Sequence, residues 1–137
     1  MGRYDKLDIA DYRALAQFRR SLRQFLAFSE KAANGAGLTS AQHQALLAIM
    51  GLSGGEPVTV GALARQLGIK PHSAVGLADR LAALKLLRRR ADSKDRRRVS
   101  LTLTAKAKAK LAALSAVHRT ELKRLAPLLR PFQKSAD

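Results

Sequence analysis

Between residues 85 and 110 the chain carries Lys85, Arg88, Arg89, Arg90, Lys94, Arg96, Arg97, Arg98, Lys106, Lys108 and Lys110, opposed only by Asp92 and Asp95. Guanidinium and ammonium groups at this density suit one kind of chemistry. They neutralise a polyanion and release its condensed counterions. Duplex DNA presents such a target, with one phosphate charge per about 1.7 Å of axis. A charge run is often only a solvated face, but this one frames a short hairpin, and its self-repulsion favours a polyanionic partner. Just upstream, His72, Ser73, Val75, Gly76, Asp79 and Arg80 share one face of a helical segment. Small and polar side chains of this kind suit the start of a helix that enters a major groove. His72 and Ser73 can bond base edges or phosphate, and Val75 can touch a thymine methyl. Gly76 has two readings: close approach of the backbone to a duplex, or close packing of helix on helix. Lys70 and Arg65 are natural phosphate clamps.

Other chemistries are poorly served. No nucleophile motif, phosphate-cradling Gly-rich loop or paired carboxylate cluster occurs, so an enzyme is not expected. Cysteine is absent, which excludes disulfides, Cys-ligated zinc and thiol redox sensing. The three histidines are scattered, so neither a metal site nor a cofactor is expected. Tryptophan is absent and aromatics are 4%, which gives little platform for stacking single-stranded bases.

The elements that must position these residues follow from periodicity. With 137 residues the chain fits one small domain, or a domain with an oligomerisation appendage. Lys+Arg 26 against Asp+Glu 10 leaves +16, yet 47% of residues are hydrophobic, enough to build a core. No apolar run reaches the roughly 18 residues of a membrane span. The start of the chain has no apolar signal core, so a cytoplasmic protein without a membrane partner is expected.

A first helix is expected from about Asp8 to Ala33, striped by Leu15, Phe18, Leu22, Phe25 and Phe28. Asn34, Gly35 and Gly37 end it. Thr39 and Gln42 form a capping box for a second helix, whose expected buried face is Leu46, Leu47, Ile49 and Met50. Gly51, Gly54, Gly55 and Pro57 are read as the break after it, and Val58 to Val60 as one edge-strand contact. A third helix, Val60 to Leu67 with Thr59 as N-cap, turns at Gly68 into a fourth from Pro71 to about Lys85. Its inward stripe is Ala74, Leu77, Ala78, Leu81 and Leu84. This is a helix-turn-helix pattern. The period then changes to two. Val99, Leu101 and Leu103 alternate with Ser100, Thr102 and Thr104, and Leu86 to Arg90 is the expected antiparallel partner across a polar tip, Ala91 to Arg96. Such a ribbon after a helix-turn-helix is a wing. Thr104 caps a last long helix with the stripe Leu111, Leu114, His118, Leu122 and Leu125. Pro127 and Pro131 interrupt a short apolar end containing Leu128, Leu129 and Phe132. The expected fold class is therefore mainly α with a small antiparallel β-wing.

These residues resemble a family. Val60-Gly61-Ala62-Leu63-Ala64-Arg65-Gln66-Leu67-Gly68-Ile69 is similar to the first half of the MarR-family helix-turn-helix. Asp79-Arg80-Leu81, with Leu84 and Leu87 beyond, resembles the end of its recognition helix. Asp92-Ser93-Lys94-Asp95-Arg96-Arg97, followed by Val99, Leu101 and Leu103-Thr104, resembles its wing signature. The wing with its flanks is the more specific part, because many winged-helix families share the first half.

The resemblance implies a homodimeric transcription factor, usually a repressor, that binds a pseudo-palindrome in double-stranded DNA. Residues 38–103 would be the winged helix-turn-helix, and 1–37 with 104–137 the helical dimerisation region. Recognition-helix contacts fall on Lys70, His72, Ser73, Val75, Gly76 and Arg80, and wing contacts on Lys94, Asp95, Arg96, Arg97 and Arg98. Arg97 takes the place of the minor-groove arginine, oriented by Asp95. Asp92 is read either as a structural ion-pair partner or as a turn residue. Dimer contacts fall on Leu15, Phe18, Leu22, Phe25, Leu122, Leu125, Leu129 and Phe132. The family also implies a small-molecule effector in the crevice between dimer helices and winged domain. Tyr12, His43 and His118 are the residues weighed for it. His118 itself reads as a satisfied interface histidine, and Phe18, Phe25 and Phe28 read as dimer core. One departure stands out. His72-Ser73-Ala74-Val75-Gly76 replaces the Thr-x-x-Arg-like face of many relatives, which implies a different operator. A binder of duplex DNA or structured RNA without sequence choice, built on the same fold, is the competing reading.

Overall fold

The computed structural model describes residues 6–54, 57–91, 94–95 and 98–133. Helix α1 spans Ile9–Gly35. It is started by a reciprocal capping box in which the Asp8 carboxylate accepts from the Asp11 N–H at 3.0 Å and the Asp11 carboxylate from the Asp8 N–H at 2.9 Å. Gly37, at φ +80, takes the chain out of it, a backbone angle that suits glycine. Thr39 and Gln42 then form the capping box of α2 (Ser40–Leu52).

Strand β1 is Val58–Thr59, and Thr59 doubles as the N-cap of α3 (Val60–Leu67). Gly68 follows at φ +66, and the Ile69 N–H closes back on the Ala64 carbonyl at 3.0 Å. The turn delivers Pro71 to the first position of α4 (Pro71–Ala83). Strands β2 (Leu87–Ala91) and β3 (Val99–Leu103) pair antiparallel, with Leu87 opposite Leu103 and Arg89 opposite Leu101. β1 adds to the other edge of β3 through Val58 and Leu101, so the ribbon becomes a three-stranded sheet in the order β1-β3-β2. Helix α5 (Ala105–Leu125) runs from its Thr104 cap to a 3-10 turn, Ala126–Leu129, and a last short helix, α6 (Arg130–Gln133).

The core lies under the helix-turn-helix. Leu46, Ile49, Leu63, Leu81 and Leu86 are its largest fully buried side chains. They are joined by Ala33 of α1 and by Ala107, Leu111 and Leu114 of α5, so one core runs from the sheet to the long helices.

Some sequence expectations need correction. Leu47 and Met50 are exposed, and the inward face of α2 is instead His43, Ala45, Leu46, Ala48 and Ile49. The helix is apolar on nearly every side, so composition there does not mark the packed face. Leu84 is exposed too. It ends α4 just where Lys85 turns left-handed at φ +62, and Leu86 and Leu87 take the interior position instead. Gly51 sits inside α2 rather than breaking it, and Ala91 belongs to β2 rather than to the hairpin tip.

Candidate nucleic-acid interface

Helix α4 buries Ala74, Leu77, Ala78 and Leu81 against α2 and α3. The 3.6-residue period therefore turns His72, Ser73, Val75, Asp79 and Arg80 to the surface, where all five are exposed. Gly76 is half-buried, but a Cβ built there meets nothing within 4 Å. Close packing of another helix of this chain is thus not what requires the glycine. The start of α4 is also open. Lys70 is its N-cap, with extended backbone and no side-chain capping bond, and the first turn holds no acidic residue. Unpaired N–H groups and the positive end of the helix dipole therefore meet solvent beside Lys70, His72 and Ser73. Such a helix start accepts a phosphate or a base-edge acceptor.

The hairpin folds back toward α4. Along β2 the side chains alternate, so Arg89 points to the α4 side while Arg88 and Arg90 point to the other. Arg89 makes an ion pair with Asp79, tying the wing to the middle of α4. This tie spans ten residues and involves two elements, and no local spacing signals it. It removes the negative charge of Asp79 from the face that bears Arg80. Arg88, Arg90, Lys94 and Arg98 are all exposed around the hairpin. Asp95 is half-buried, and its carbonyl accepts from the Arg98 N–H at 2.9 Å across the tip. Arg96 and Arg97, with Asp92, lie outside the described residues.

The residues expected in the dimer lie on the long helices and the C-terminal turn. Leu15, Leu22, Leu122, Leu129 and Phe132 are exposed in the single chain, and Phe18, Phe25 and Leu125 are half-buried. Phe18 and Phe132 meet edge-to-face at 6.0 Å, joining the start of α1 to the end of the chain. Phe25 and Phe28 instead close around His118, at 5.8 and 5.3 Å. His118 has both ring nitrogens paired, to the Leu114 carbonyl at 2.7 Å and the Ser29 hydroxyl at 2.8 Å. Its ring also lies 4.9 Å from that of His43. The burial of His43 was missed, although it stands three residues before Leu46 on the same face of α2. Tyr12 is exposed and stands apart from this cluster. No helix among the described residues is long and apolar enough to cross a membrane.

The family model described as MarR family matches residues 36–98. No curated protein sequence matches the chain. Solved structures with the same fold include a variant of MepR from Staphylococcus aureus bound to an oligodeoxyribonucleotide. It is 19% identical with a TM-score of 0.70, over 88% of this chain and 83% of that one. AbsC from Streptomyces coelicolor, a MarR family transcriptional regulator, is 20% identical with a TM-score of 0.70, over 90% and 83%. CouR from Rhodococcus jostii, bound to p-coumaroyl-CoA, is 23% identical with a TM-score of 0.67, over 81% and 76%. Family match and fold agree with the elements described above: residues 36–98 match the MarR family model, and the chain shares the fold of these solved structures.

Proposed function

We propose that this protein is a sequence-specific, duplex-DNA-binding transcriptional regulator. It acts as a homodimer on a pseudo-palindromic operator, as a repressor released by a small-molecule effector. The observation that carries this reading is the first half of α4. An uncapped, acid-free helix start presents Lys70, His72, Ser73 and Val75 to solvent, with a basic hairpin beside it. A helix with that start and that face fits a major groove, where its N-terminal residues meet base edges. Arg80 then takes a phosphate, and the wing residues Lys94, Asp95 and Arg98 meet the adjoining minor groove; the contacts expected of Arg96 and Arg97 fall outside the described residues. The oligodeoxyribonucleotide on the MepR variant and the acyl-CoA on CouR support the DNA and effector parts of the reading. The exposed leucines of α1 and α5 support the dimer.

Selection from a random duplex library at physiological salt tests this directly. A sequence-specific dimer enriches one inverted repeat with half-sites about 10 bp apart, one helical turn. Retention of duplexes without enrichment favours the competing reading, a basic winged-helix binder that neutralises phosphate without choosing sequence. The same library made as RNA then distinguishes its substrate.

A further inference from the structure

His43 and His118 face each other where α2, the first helix of the winged domain, packs on the long helices α1 and α5. The two imidazoles differ in what a proton would do to them. The Nδ1 of His118 lies 2.7 Å from a carbonyl, which can only accept, so Nδ1 carries hydrogen. Its Nε2 lies 2.8 Å from the Ser29 hydroxyl. That hydroxyl donates to a neutral ring and accepts from a charged one, so His118 keeps both bonds in either state. His43 has no such freedom. It is 4% exposed, and its Nδ1 is buried without a partner. A proton there would leave an unpaired N–H and a charge inside the seam, against the ring of His118.

We propose that the His43–His118 pair is an acid-sensitive latch: a proton on His43, whose buried ring has no partner for it, separates α2 from α1 and α5 and so uncouples the winged domain from the helical arm. Burial, and then the charge of His118, hold His43 below the usual histidine value of 6.5. The remaining charged groups near the seam do not offset this. α2 contains no other charged residue. From α5, Lys110 donates to the Ala36 carbonyl at 2.7 Å, Arg119 is exposed, and Glu121 lies 3.6 Å from Arg124. From α1, Glu30 and Lys31 adjoin Ser29 and are exposed. Among the described residues neither imidazole has an ion-pair partner. The sign follows from linkage. Since the folded value is lowered, the unfolded chain takes the proton first. The stability is full above 6.5 and is lost as pH falls from there through the folded value.

The output of the latch rests on the DNA-binding reading; the latch itself does not. The test compares wild type with His43→Gln and His118→Gln, using a labelled duplex from the selection above and a scrambled duplex of equal length. Affinity and melting temperature are read at constant ionic strength from about pH 7.5 to about pH 5.5, either side of the free histidine value. Every other pH-dependent contribution to DNA contact is common to wild type and His43→Gln, so their difference isolates the pair. The latch predicts that wild type loses about tenfold more affinity than His43→Gln over this range, as a seam opening in most molecules would require. The wild-type melting temperature also falls more steeply. His118→Gln removes the neighbouring charge and moves the transition to lower pH, which a merely structural role would not do. Parallel profiles for wild type and His43→Gln overturn the latch. Absence of duplex binding at every pH overturns the DNA reading instead, and the melting profiles then decide the latch alone. Should His43→Gln fail to fold, the shift in His118→Gln carries the decision.

Discussion

Ser73 and Gly76 stand one turn apart on α4, and a methyl group tests each differently. At Ser73 an alanine deletes a hydroxyl that is exposed and has no bond among the described residues, so stability hardly changes. If the hydroxyl reads a base edge, Ser73→Ala alters preference at particular base pairs; a phosphate contact would weaken all duplexes alike. Repeating the selection with the variant separates the two. At Gly76 the added Cβ meets open space and replaces the least favourable common helix residue, so Gly76→Ala stabilises the fold by about 1 kcal/mol. If α4 enters the groove as proposed, the same methyl stands between backbone and duplex, and the selected duplex is expected to bind less tightly. Urea melts and anisotropy measure the two effects separately, and unchanged affinity would take Gly76 off the contact surface. The exposure of His72, Ser73, Val75 and Arg80 was legible in the sequence because a 3.6-residue period assigns faces without knowledge of neighbours. The Asp79–Arg89 pair was not, because it depends on how far the hairpin folds back over α4. Both its side chains are about half exposed, so Arg89→Gln is expected to cost less than about 1 kcal/mol, and any larger fall in DNA affinity reports the wing's position rather than its stability.

Between elements, the short segment from Lys85 to Thr104 fixes where the wing leaves and the last helix begins. The Thr104 hydroxyl accepts from the Ala107 N–H at 3.2 Å and donates to the Lys85 carbonyl at 2.9 Å. It caps α5 and ties that cap to the end of α4 in one group. Thr104→Ala is expected to cost about 1–2 kcal/mol, the upper range for a lost N-cap, because a second bond goes with it. Thr104→Ser should restore most of it, and denaturant melts of the two variants check the pairing. Lys85 is the opposite case. It occupies a left-handed position that glycine usually fills, with the Leu86 N–H closing on the Leu81 carbonyl at 3.0 Å. Lys85→Gly is expected to raise stability by about 1 kcal/mol, since a side chain is strained there. The capping residues Thr39, Thr59 and Thr104 could be read from the sequence because a cap is a local bond three residues long. The left-handed turn at Lys85 could not. Nothing in a lysine marks it, and Leu84 was placed inside on a period that stops one residue earlier.

At the scale of the whole molecule the unanswered surface is apolar. Leu15, Leu22 and Leu26 on α1, Val117 and Leu122 on α5, and Leu129 and Phe132 at the end are exposed in the single chain. Scattered exposed leucines need no explanation, but apolar side chains repeating at helical spacing along two adjoining long helices are what a partner surface requires. The charge argues the same way from the other side. At +16 the chain repels copies of itself, so a self-association must bury enough apolar surface to outweigh that repulsion, and salt should strengthen it. DNA binding has the reverse dependence, weakening by roughly 0.9 log units per phosphate contact for each tenfold rise in salt. Sedimentation at micromolar concentration is therefore expected to show a dimer that persists at high salt while duplex affinity collapses. Leu122→Glu places a charge in the patch without touching the core, and is expected to yield a folded monomer with an unchanged circular dichroism spectrum. That monomer should keep weak, salt-sensitive binding through one α4 and one wing, and lose the gain that comes from tethering two half-sites. A wild-type monomer that still selects an inverted repeat would contradict this arrangement, because two recognition helices at a fixed spacing are what an inverted repeat reads.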